Sequence, residues 1–490
     1  MNRAERLARL LRVLAAIIAE PGLNPYELAE KAGVSERTLR RDLAQLRDLG
    51  YDVAFTSGYE VQEKLNLEGH PKRRPRGRGD DALLQAVAQA VETAGLWRDP
   101  DNAAAVPARR TKPRRRTPAP IVLLPSGGGD TDFIYATGFG VETGLYIRYS
   151  DGSDVLAVSP LEIDRARVQS RASNVVENRE AYLSKSWARL AAQFLKEKGI
   201  EEARVSPNLR ALDLEELLAA GIDVQVDREL FVAERRHKTK EEADAVREAQ
   251  KAAEIAIVEV VRELAGAQIK DGVLWSGGNP LTSEHLYGRA QLALGEKGFT
   301  CPDMIIAGSP DCAIPHYRGE GPIRAHAPVI IDIFPQSRRT HYNGDLTRTV
   351  VVGDISDEIR LMHAAVVQAL HAGSEMIAAG VPARDPHLSV CQVLLDLGFG
   401  TTTPGYEGPD GVARMNHSTG HGVGLDVHEE PALRSTTEAP LEEGDVVTVE
   451  PGLYLLGLGG VRLEDTGMVT GRGFENFTTL TRSLDPRDYL

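Results

Sequence analysis

Cysteine is scarce in this chain of 490 residues, which contains only Cys301, Cys312 and Cys391. The number is odd, and no two of them form a Cys-x-x-Cys pair. A disulfide framework needs an even set of cysteines and an oxidising compartment. We therefore predict reduced thiols in a cytoplasmic protein.

Long apolar runs are also lacking. A helix that crosses a membrane needs about 20 predominantly apolar residues, and the apolar run that includes residues 13–18 near the N-terminus is far shorter. The N-terminal region is charged and has helical periodicity, unlike a secretory signal peptide. We expect no association with a membrane.

Positive charge is concentrated near the N-terminus. Residues 1–120 contain 22 Lys and Arg against 16 Asp and Glu, while the remaining residues contain 35 against 55. A basic N-terminal segment therefore precedes an acidic remainder of the chain. This asymmetry indicates two separate tasks on one chain.

A chain of this length needs several domains. We predict a multidomain α/β protein, with boundaries where composition and periodicity change. The predicted segments are a small helical unit with a hairpin at 1–66, a basic linker at 67–119, an α/β domain at 120–230 and a second, larger domain at 231–490.

The N-terminal segment has clear local signals. Asn24 suits a helix N-cap and Pro25 the first helical position. A further helix is predicted over 36–48, and strands over 51–55 and 59–62 form a hairpin. The linker that follows is broken by proline and glycine, with one embedded helix predicted over 81–96.

The rest of the chain alternates between strand and helix patterns. Strands are predicted at 121–124, 144–147 and 155–158, and helices at 179–198 and 239–264. No internal repeat is present, so an α/β architecture is the expectation for both larger domains.

Three acidic residues lie in or at the end of apolar strand patterns. Asp332 is in the middle of such a pattern at 328–334, Glu450 ends another that starts at 446, and Glu464 lies in a third at 461–465. A buried unpaired carboxylate costs several kcal/mol, so each must be paired or neutralised. Any one of them alone is more often an acid at a surface edge, whereas several beside histidines indicate a cation site.

The histidines are clustered. His417, His421 and His428 lie within 12 residues, with glycines at 420, 422 and 424. Glycines there disfavour a helix and allow close backbone approach. A lone histidine is more often structural, but this group favours a functional site.

Residues 231–490 resemble the metal-dependent pita-bread peptidases, which include methionyl aminopeptidase, aminopeptidase P and prolidase. Five pieces match in the family's order. They are residues 313–317, residue 332 with 345–349, residues 420–429, residues 449–453 and residues 462–465.

The resemblance implies a dinuclear metal centre. Asp332 would bind one ion, Asp345 and Glu464 would bridge both, and His421 and Glu450 would complete the second. Four carboxylates and one imidazole suit Mn²⁺ or Co²⁺ and tolerate Zn²⁺. Such a pair of ions can activate water and polarise a carbonyl.

The family also implies roles for residues around the metals. Glu450 would transfer the proton from water to the leaving amine. His428 and His316 would contact the substrate carbonyl or the tetrahedral intermediate.

The resemblance is to the proline-directed branch in particular. His417, four residues before His421, and Arg462, two before Glu464, are a pair that methionyl aminopeptidases generally lack. Residues 135–139 resemble the Tyr-x-Thr-Gly-Phe segment in the preceding domain of aminopeptidase P, prolidase and creatinase. Creatinase lacks the metal ligands, so the full set here argues against it.

The sequence departs from the family in one loop. The two aspartates are usually 11 residues apart, but here Asp345 follows Asp332 by 13, and the Asp-x-Gly glycine is absent. We interpret this as a two-residue insertion near Arg338 and Arg339. An even insertion keeps strand alternation, so both acids can still reach the site. The usual Gly-Tyr is His341-Tyr342, which leaves the loop conformation open.

Residues 1–66 resemble the winged helix-turn-helix domains of bacterial regulators such as the DeoR-like group. The resemblance places the exposed start of a recognition helix within residues 34–50. Arginines there can reach phosphates and guanine edges, and the basic linker would add salt-sensitive affinity. The implied DNA-binding residues are Arg37, Thr38, Arg40 and Arg41. Winged helices also serve as protein-docking or dimerisation modules, and basic tracts are often only solubilising linkers.

Three functions follow as hypotheses. The first is an active peptidase that cleaves Xaa-Pro bonds in small peptides. The second is a transcriptional regulator whose peptidase-like body senses a peptide or a metal, and the third is a protein that does both. Pita-bread peptidases and winged-helix regulators, the two families that the chain resembles, are commonly dimers. A homodimer is therefore expected by analogy.

Overall fold

We describe a computed structural model of the chain. It describes residues 119–490 continuously, and in the N-terminal part residues 13, 25–32, 34, 38–39, 42–43, 52–55 and 59–63. The chain divides into two compact units, Met1–Lys112 and Pro113–Leu490, which are described separately.

The N-terminal unit contains a helix and a hairpin. Helix α1 is Pro25–Lys31, and strands β1 (Asp52–Phe55) and β2 (Tyr59–Glu63) pair antiparallel. Both elements agree with the sequence prediction. Leu39 and Leu43 are helical and buried.

Some predicted features lie outside the described residues. Arg37, Arg40 and Arg41 are among them, as are the basic linker up to residue 118 and the helix predicted over 81–96. Thr38 is the DNA-binding candidate that the structure describes, and it lies in a helical segment.

The second unit begins with a six-stranded mixed sheet flanked by helices. The strand order is β6-β5-β4-β3-β7-β8. Its strands are β3 Ile121–Leu123, β4 Leu145–Arg148, β5 Asp154–Val158, β6 Val175–Glu177, β7 Glu202–Val205 and β8 Asp223–Val226. Its helices are α2 Thr131–Thr137, α3 Ile163–Gln169, α4 Arg179–Ser184, α5 Trp187–Glu197 and α6 Ala211–Ala219, followed by the connecting helix α7 Val232–Arg236.

The single helix predicted over 179–198 was wrong, because the structure has two helices there. Lys185 ends α4 in the left-handed conformation, with φ 55°. Ser186 then donates a hydrogen bond to Glu216, and Trp187 enters the core at 3% exposure. The chain thus changes direction at Lys185, and the large Trp187 side chain packs in the core directly after the break.

The remaining residues form the domain that carries the predicted metal ligands. Helix α8, Lys240–Ala265, agrees with the helix predicted over 239–264 and begins with a capping box between Thr239 and Glu242. Its other helices are α9 Ser283–Glu296, α10 Asp357–Glu375 and α11 Arg384–Asp396.

Short strands form several sheets in this domain. Those that matter for the site have the orders β13-β14-β16, β17-β18-β22-β23 and β20-β19-β21-β24-β25. The strands are β9 Gln268–Lys270, β10 Val273–Ser276, β11 Asn279–Pro280, β12 Phe299–Thr300, β13 Ile305–Gly308, β14 Pro328–Ile333, β15 Gln336–Ser337, β16 Leu346–Val351, β17 Gly400–Thr401, β18 Arg414–Met415, β19 Gly420–Gly422, β20 Glu429–Leu433, β21 Val446–Val449, β22 Gly452–Leu455, β23 Gly459–Arg462, β24 Asp465–Thr470 and β25 Gly473–Asn476.

The apolar face of α8 covers the sheet that carries the first aspartate. Ile257 and Val261 on the helix belong to one buried cluster with Ile331 and Val350 on β14 and β16. This packing makes the strands beside the site a rigid support.

The strand predicted over 461–465 was also wrong in part, because it is two strands. β23 ends at Arg462 and pairs with β22, whereas β24 starts at Asp465 and pairs with β21. Between them, the Glu464 amide donates to the Thr347 carbonyl at 3.1 Å. This connection moves the chain from one sheet to another and leaves Glu464 at the crossing.

The inserted loop joins β14 to β16. Asp332 lies opposite Thr347 in the antiparallel pairing, and Asp345 comes directly before β16. His341, at the position of the family's usual glycine, has φ 63° in the left-handed region. The loop therefore keeps a conformation that glycine would adopt more easily.

Among the described residues, no helix combines the length and apolar character that a membrane crossing requires.

Candidate metal centre

Four of the five predicted ligands converge on one buried point. Single ligand atoms of Asp345, His421 and Glu464 lie within 4.8 Å of one another, and all three residues are buried. The Nε2 atom of His421 is 3.6 Å from Asp345 Oδ2 and 3.5 Å from Glu450 Oε1. These residues come from four separate segments, so only the tertiary fold brings them together.

The fifth predicted ligand, Asp332, lies beside this group. Its Oδ2 atom accepts a hydrogen bond from Arg462 Nη2 at 2.6 Å. Its Oδ1 atom is buried without a hydrogen-bond partner in the part of the chain that is described. A buried carboxylate oxygen without a partner is rare and indicates that another group binds it.

The acidic side chains destabilise one another's charged forms. Burial, together with the charges of Asp332 and Glu450, raises the pKa of Asp345 well above its ordinary value. Burial and the neighbouring acids, Asp345 first, do the same to the pKa of Glu464. Burial and the Asp332 charge raise the pKa of Glu450 to about 8, against the opposing charge of Arg462. Such crowding favours bound cations.

The imidazole of His421 is prepared to act as a ligand. Burial, and then the charge of His428, lowers the pKa of His421 to about 4, so the ring is neutral. Its Nδ1 atom is 3.1 Å from the Gly422 carbonyl. Nδ1 therefore carries the proton and donates it there, which leaves the Nε2 lone pair facing the acids.

The donor set fits a pair of divalent ions. It combines carboxylate oxygens with one neutral imidazole, which is the chemistry that Mn²⁺, Co²⁺ and Zn²⁺ accept. The unpartnered Oδ1 atom of Asp332 and the raised pKa values of three carboxyls both point to cations held among these residues.

Hydrogen bonds that the sequence did not predict hold Asp345 in place. Gln250 on α8 donates to the Asp345 carbonyl and accepts from the Asp345 amide, both at 2.9 Å. Thr466 also donates to that carbonyl, at 2.7 Å. The only sequence signal for Gln250 was an amide on the apolar face of a helix.

Glu464 is oriented by β16. The Thr347 hydroxyl donates to Glu464 Oε2 at 2.8 Å. The fully buried guanidinium of Arg348 donates to the Glu464 carbonyl at 2.6 Å and pairs with Asp465 at 3.0 Å. The matching segment 345–349 therefore supplies one predicted ligand and two residues that position another.

A second chain of polar groups connects His417 to Asp332. Arg462 donates to the Tyr454 oxygen at 3.0 Å as well as to Asp332, and Tyr454 is 2.9 Å from His417 Nε2. His417 Nδ1 is 2.7 Å from the Ser418 carbonyl. These hydrogen bonds are mutually consistent when His417 Nδ1 donates to the Ser418 carbonyl and the Tyr454 hydroxyl donates to His417 Nε2.

The pKa values agree with this arrangement. Burial, and then the charge of Arg462, lowers the pKa of His417 to about 3, so its ring is neutral. Burial raises the pKa of Tyr454 to about 12, so the hydroxyl keeps its proton. The sequence predicted His417 and Arg462 as site residues but gave no signal for Tyr454, which connects them.

The other two predicted histidines lie at the edge of the group. The rings of His428 and His421 have centroids 4.1 Å apart. Burial lowers the pKa of His428, and Asp332 and His316 are among the charges that act on it. His316 is exposed and follows Pro315, whose carbonyl accepts from Arg462 at 3.3 Å. Every predicted residue of the metal centre is thus in one region.

Comparisons with known proteins agree with this architecture. Residues 244–471 match the profile of metallopeptidase family M24, and residues 9–60 match that of an HTH domain. The chain is 30% identical over 250 residues to the Xaa-Pro dipeptidase of Pyrococcus furiosus, covering 50% of this chain and 64% of that protein. It is 34% identical over 183 residues to the Xaa-Pro dipeptidase of Pyrococcus horikoshii, covering 37% of this chain and 48% of that protein.

A solved structure shares the fold over a wider range. The prolidase from Pyrococcus furiosus superposes with a TM-score of 0.62 at 25% identity, covering 74% of this chain and 97% of that one. These matches confirm the predicted pita-bread fold and the helix-turn-helix unit. Residues 244–471 therefore form a domain of metallopeptidase family M24, which this chain joins to an N-terminal HTH domain.

Proposed function

We propose that this protein is a dinuclear metal-dependent peptidase that hydrolyses Xaa-Pro peptide bonds. The observation that carries the proposal is the buried convergence of Asp345, His421 and Glu464, with Glu450 and the unpartnered oxygen of Asp332 beside them. The Xaa-Pro specificity is supported by the His417 and Arg462 pair and by the names of the similar proteins.

The proposed ligands are Asp332, Asp345, His421, Glu450 and Glu464, and Mn²⁺ is the proposed metal, with Co²⁺ and Zn²⁺ as alternatives. When bound, two such ions supply an activated water and polarisation of the scissile carbonyl.

The side chains around the ions have complementary tasks. The Glu450 carboxylate accepts the proton from water and returns it to the leaving nitrogen of proline. His428 and His316 donate hydrogen bonds to the oxygen that becomes negative during attack. Arg462 holds Asp332 at 2.6 Å, and His417 holds Arg462 through Tyr454.

The N-terminal unit has a separate proposed task. Arg37, Thr38, Arg40 and Arg41 contact DNA from the recognition helix, and the basic linker strengthens binding through phosphates. The proposed domain limits are 1–66, 67–119, 120–230 and 231–490. We also place the protein in the cytoplasm, away from membranes, as a homodimer.

Hydrolysis by the full chain tests the first proposal. The protein is freed of metal, loaded with Mn²⁺ and incubated with Ala-Pro and with a longer Xaa-Pro peptide, and proline or free N-terminal residues are measured. We expect turnover that His421→Ala abolishes. The matched control His371→Ala changes an exposed histidine on α10 and should leave turnover unchanged. Metal binding without turnover would instead favour the regulator that senses a peptide or metal, and a gel shift with and without Ala-Pro would then test that role.

A further inference from the structure

Few contacts hold the ring of His428 in place directly. The ring packs against His421 with centroids 4.1 Å apart, and it forms no hydrogen bond with any residue in the described part of the chain. Its position must therefore come from the backbone of its loop. The side chains of the neighbouring residues Asp426 and Glu429 show how that backbone is held.

One guanidinium binds both sides of this loop. Arg235 Nη2 is 2.6 Å from Asp426 Oδ2 and 2.6 Å from Glu429 Oε2. The Glu429 side chain is only 8% exposed, and its other oxygen pairs with the buried Lys238. Although burial opposes ionisation, Lys238 and Arg235 hold the pKa of Glu429 below its ordinary value. The acids on either side of His428 are therefore tied to one arginine.

The beginning of the loop is fixed as well. Asn343 Nδ2 donates to the carbonyls of Gly424 and Leu425 at 2.9 and 2.8 Å. A Cβ atom at Gly424 would lie 2.5 Å from Glu429 Oε1, so only glycine allows the carboxylate to lie there. The loop is thus held at its beginning by Asn343 and on both sides of His428 by Arg235.

The arrangement extends into the preceding α/β domain. The Thr131 hydroxyl donates to Asp426 Oδ2 at 3.1 Å. Asp132 Oδ1 lies 3.5 Å from Arg235 Nη1, and Asp132 Oδ2 accepts from Ser206 at 2.6 Å. Thr131 and Asp132 are both in the first turn of α2. The first domain therefore contacts the same arginine that holds the His428 loop.

We propose that Arg235 is a positioning residue for His428, acting through Asp426 and Glu429, that Asp132 orients Arg235, and that Thr131 supports Asp426. The proposal rests on the proposed peptidase function, in which His428 stabilises the oxygen that develops negative charge. Without Arg235, Asp426 and Glu429 lose their common partner, and the loop that carries the His428 imidazole shifts. A small displacement of a catalytic group is enough to slow a reaction strongly.

Arg235→Gln and Arg236→Gln form a matched pair. Arg236 is the next residue of α7 and its side chain is 13% exposed, but it pairs with Asp445 at 2.7 Å and Glu442 at 3.2 Å, whereas Arg235 pairs with Asp426 and Glu429. We expect Arg235→Gln to lower kcat for Ala-Pro by about tenfold or more, with KM within about twofold. Arg236→Gln should leave kcat within about twofold, and Arg235→Lys should recover part of the loss.

Two further measurements distinguish positioning from a general loss of structure. In a double-mutant cycle, Arg235→Gln should have little additional effect on kcat when His428→Ala is already present. Independently of activity, the ¹⁵N-histidine spectrum of the full chain with Zn²⁺ should show a shifted His428 signal in Arg235→Gln but not in Arg236→Gln. The His428→Ala variant assigns that signal.

The outcomes separate this proposal from the proposed function. Equal loss of kcat in the two arginine variants, additive effects with His428→Ala, or an unmoved His428 signal would each overturn the positioning role. If the wild-type protein hydrolyses no Xaa-Pro peptide, the peptidase proposal fails, while the histidine spectrum still decides whether Arg235 positions the ring.

Discussion

At the scale of single residues, the site depends on atoms whose partners come from distant segments. Tyr454 is the clearest case, because its hydroxyl is 2.9 Å from His417 and 3.0 Å from Arg462. If it is removed, His417 Nε2 loses its donor and Arg462 loses one acceptor. A buried polar atom left without a partner destabilises a protein by about 1–3 kcal/mol.

We therefore expect Tyr454→Phe to lower the free energy of unfolding by about 1–3 kcal/mol and to reduce kcat/KM for Ala-Pro. Urea unfolding and steady-state kinetics measure the two effects. Tyr182→Phe is the control, since Tyr182 is 37% exposed. Equal stability of the two variants would contradict the bridging role.

Glu464 should lower the stability of the folded protein when metal is absent and raise it when metal is bound. Its folded-state pKa is raised above the ordinary 4.5 by burial and neighbouring acids. Because the folded state then binds the extra proton, the acid lowers stability progressively as pH rises above about 4.5. Glu464→Gln should therefore unfold at higher urea than wild type in chelator, and this advantage should grow from pH 5 to pH 8. With Mn²⁺ present the wild type should be the more stable protein, because it keeps the ligand.

At the scale of elements, β16 serves both as a strand of the sheet and as support for the metal centre. Its Thr347 faces Asp332 across the sheet and donates to Glu464 at 2.8 Å. The sequence placed Thr347 within the matching segment, but it did not predict this bond. The reason is that the bond depends on the crossing between β23 and β24, where the sequence predicted one continuous strand.

Thr347→Val keeps the shape and strand preference of the side chain but removes its hydroxyl. We expect the affinity for Mn²⁺ to fall about 10–100-fold, as is usual when a residue that orients a ligand is lost. Isothermal titration calorimetry measures this change. Thr470→Val removes a comparable hydroxyl, bonded to Gly473 at 2.8 Å, and should leave the affinity unchanged. A similar loss in both variants would show that β16 does not orient the ligand.

At the scale of the whole molecule, buried neutral histidines make stability depend on pH. His387 is 3% exposed and lies between the hydroxyls of Thr419 and Thr403, at 2.9 and 2.8 Å. Burial lowers its pKa from 6.5 to about 4. Between these values the unfolded chain binds a proton that the folded protein does not, so stability is complete above pH 6.5 and decreases as pH falls towards 4.

His387→Gln should therefore make the pH dependence of unfolding shallower between pH 6.5 and 4. The change should approach one proton, or about 1.4 kcal/mol per pH unit. Urea unfolding in chelator at several pH values measures the slope. His371→Gln, at an exposed position, should keep the wild-type slope, and an unchanged slope in His387→Gln would contradict the prediction.

The amino-acid sequence by itself determined the local elements and the chemical types of the site. The helical pattern of α8, the strand around Asp332 and the glycines around His421 depend on residues close together in the chain, so the sequence predicted them. The tertiary structure alone decided the break at Lys185, the crossing at Glu464, and the bonds of Gln250, Tyr454 and Arg235. Those features depend on contacts between residues far apart in the chain, and spacing along the chain carries no information about such contacts.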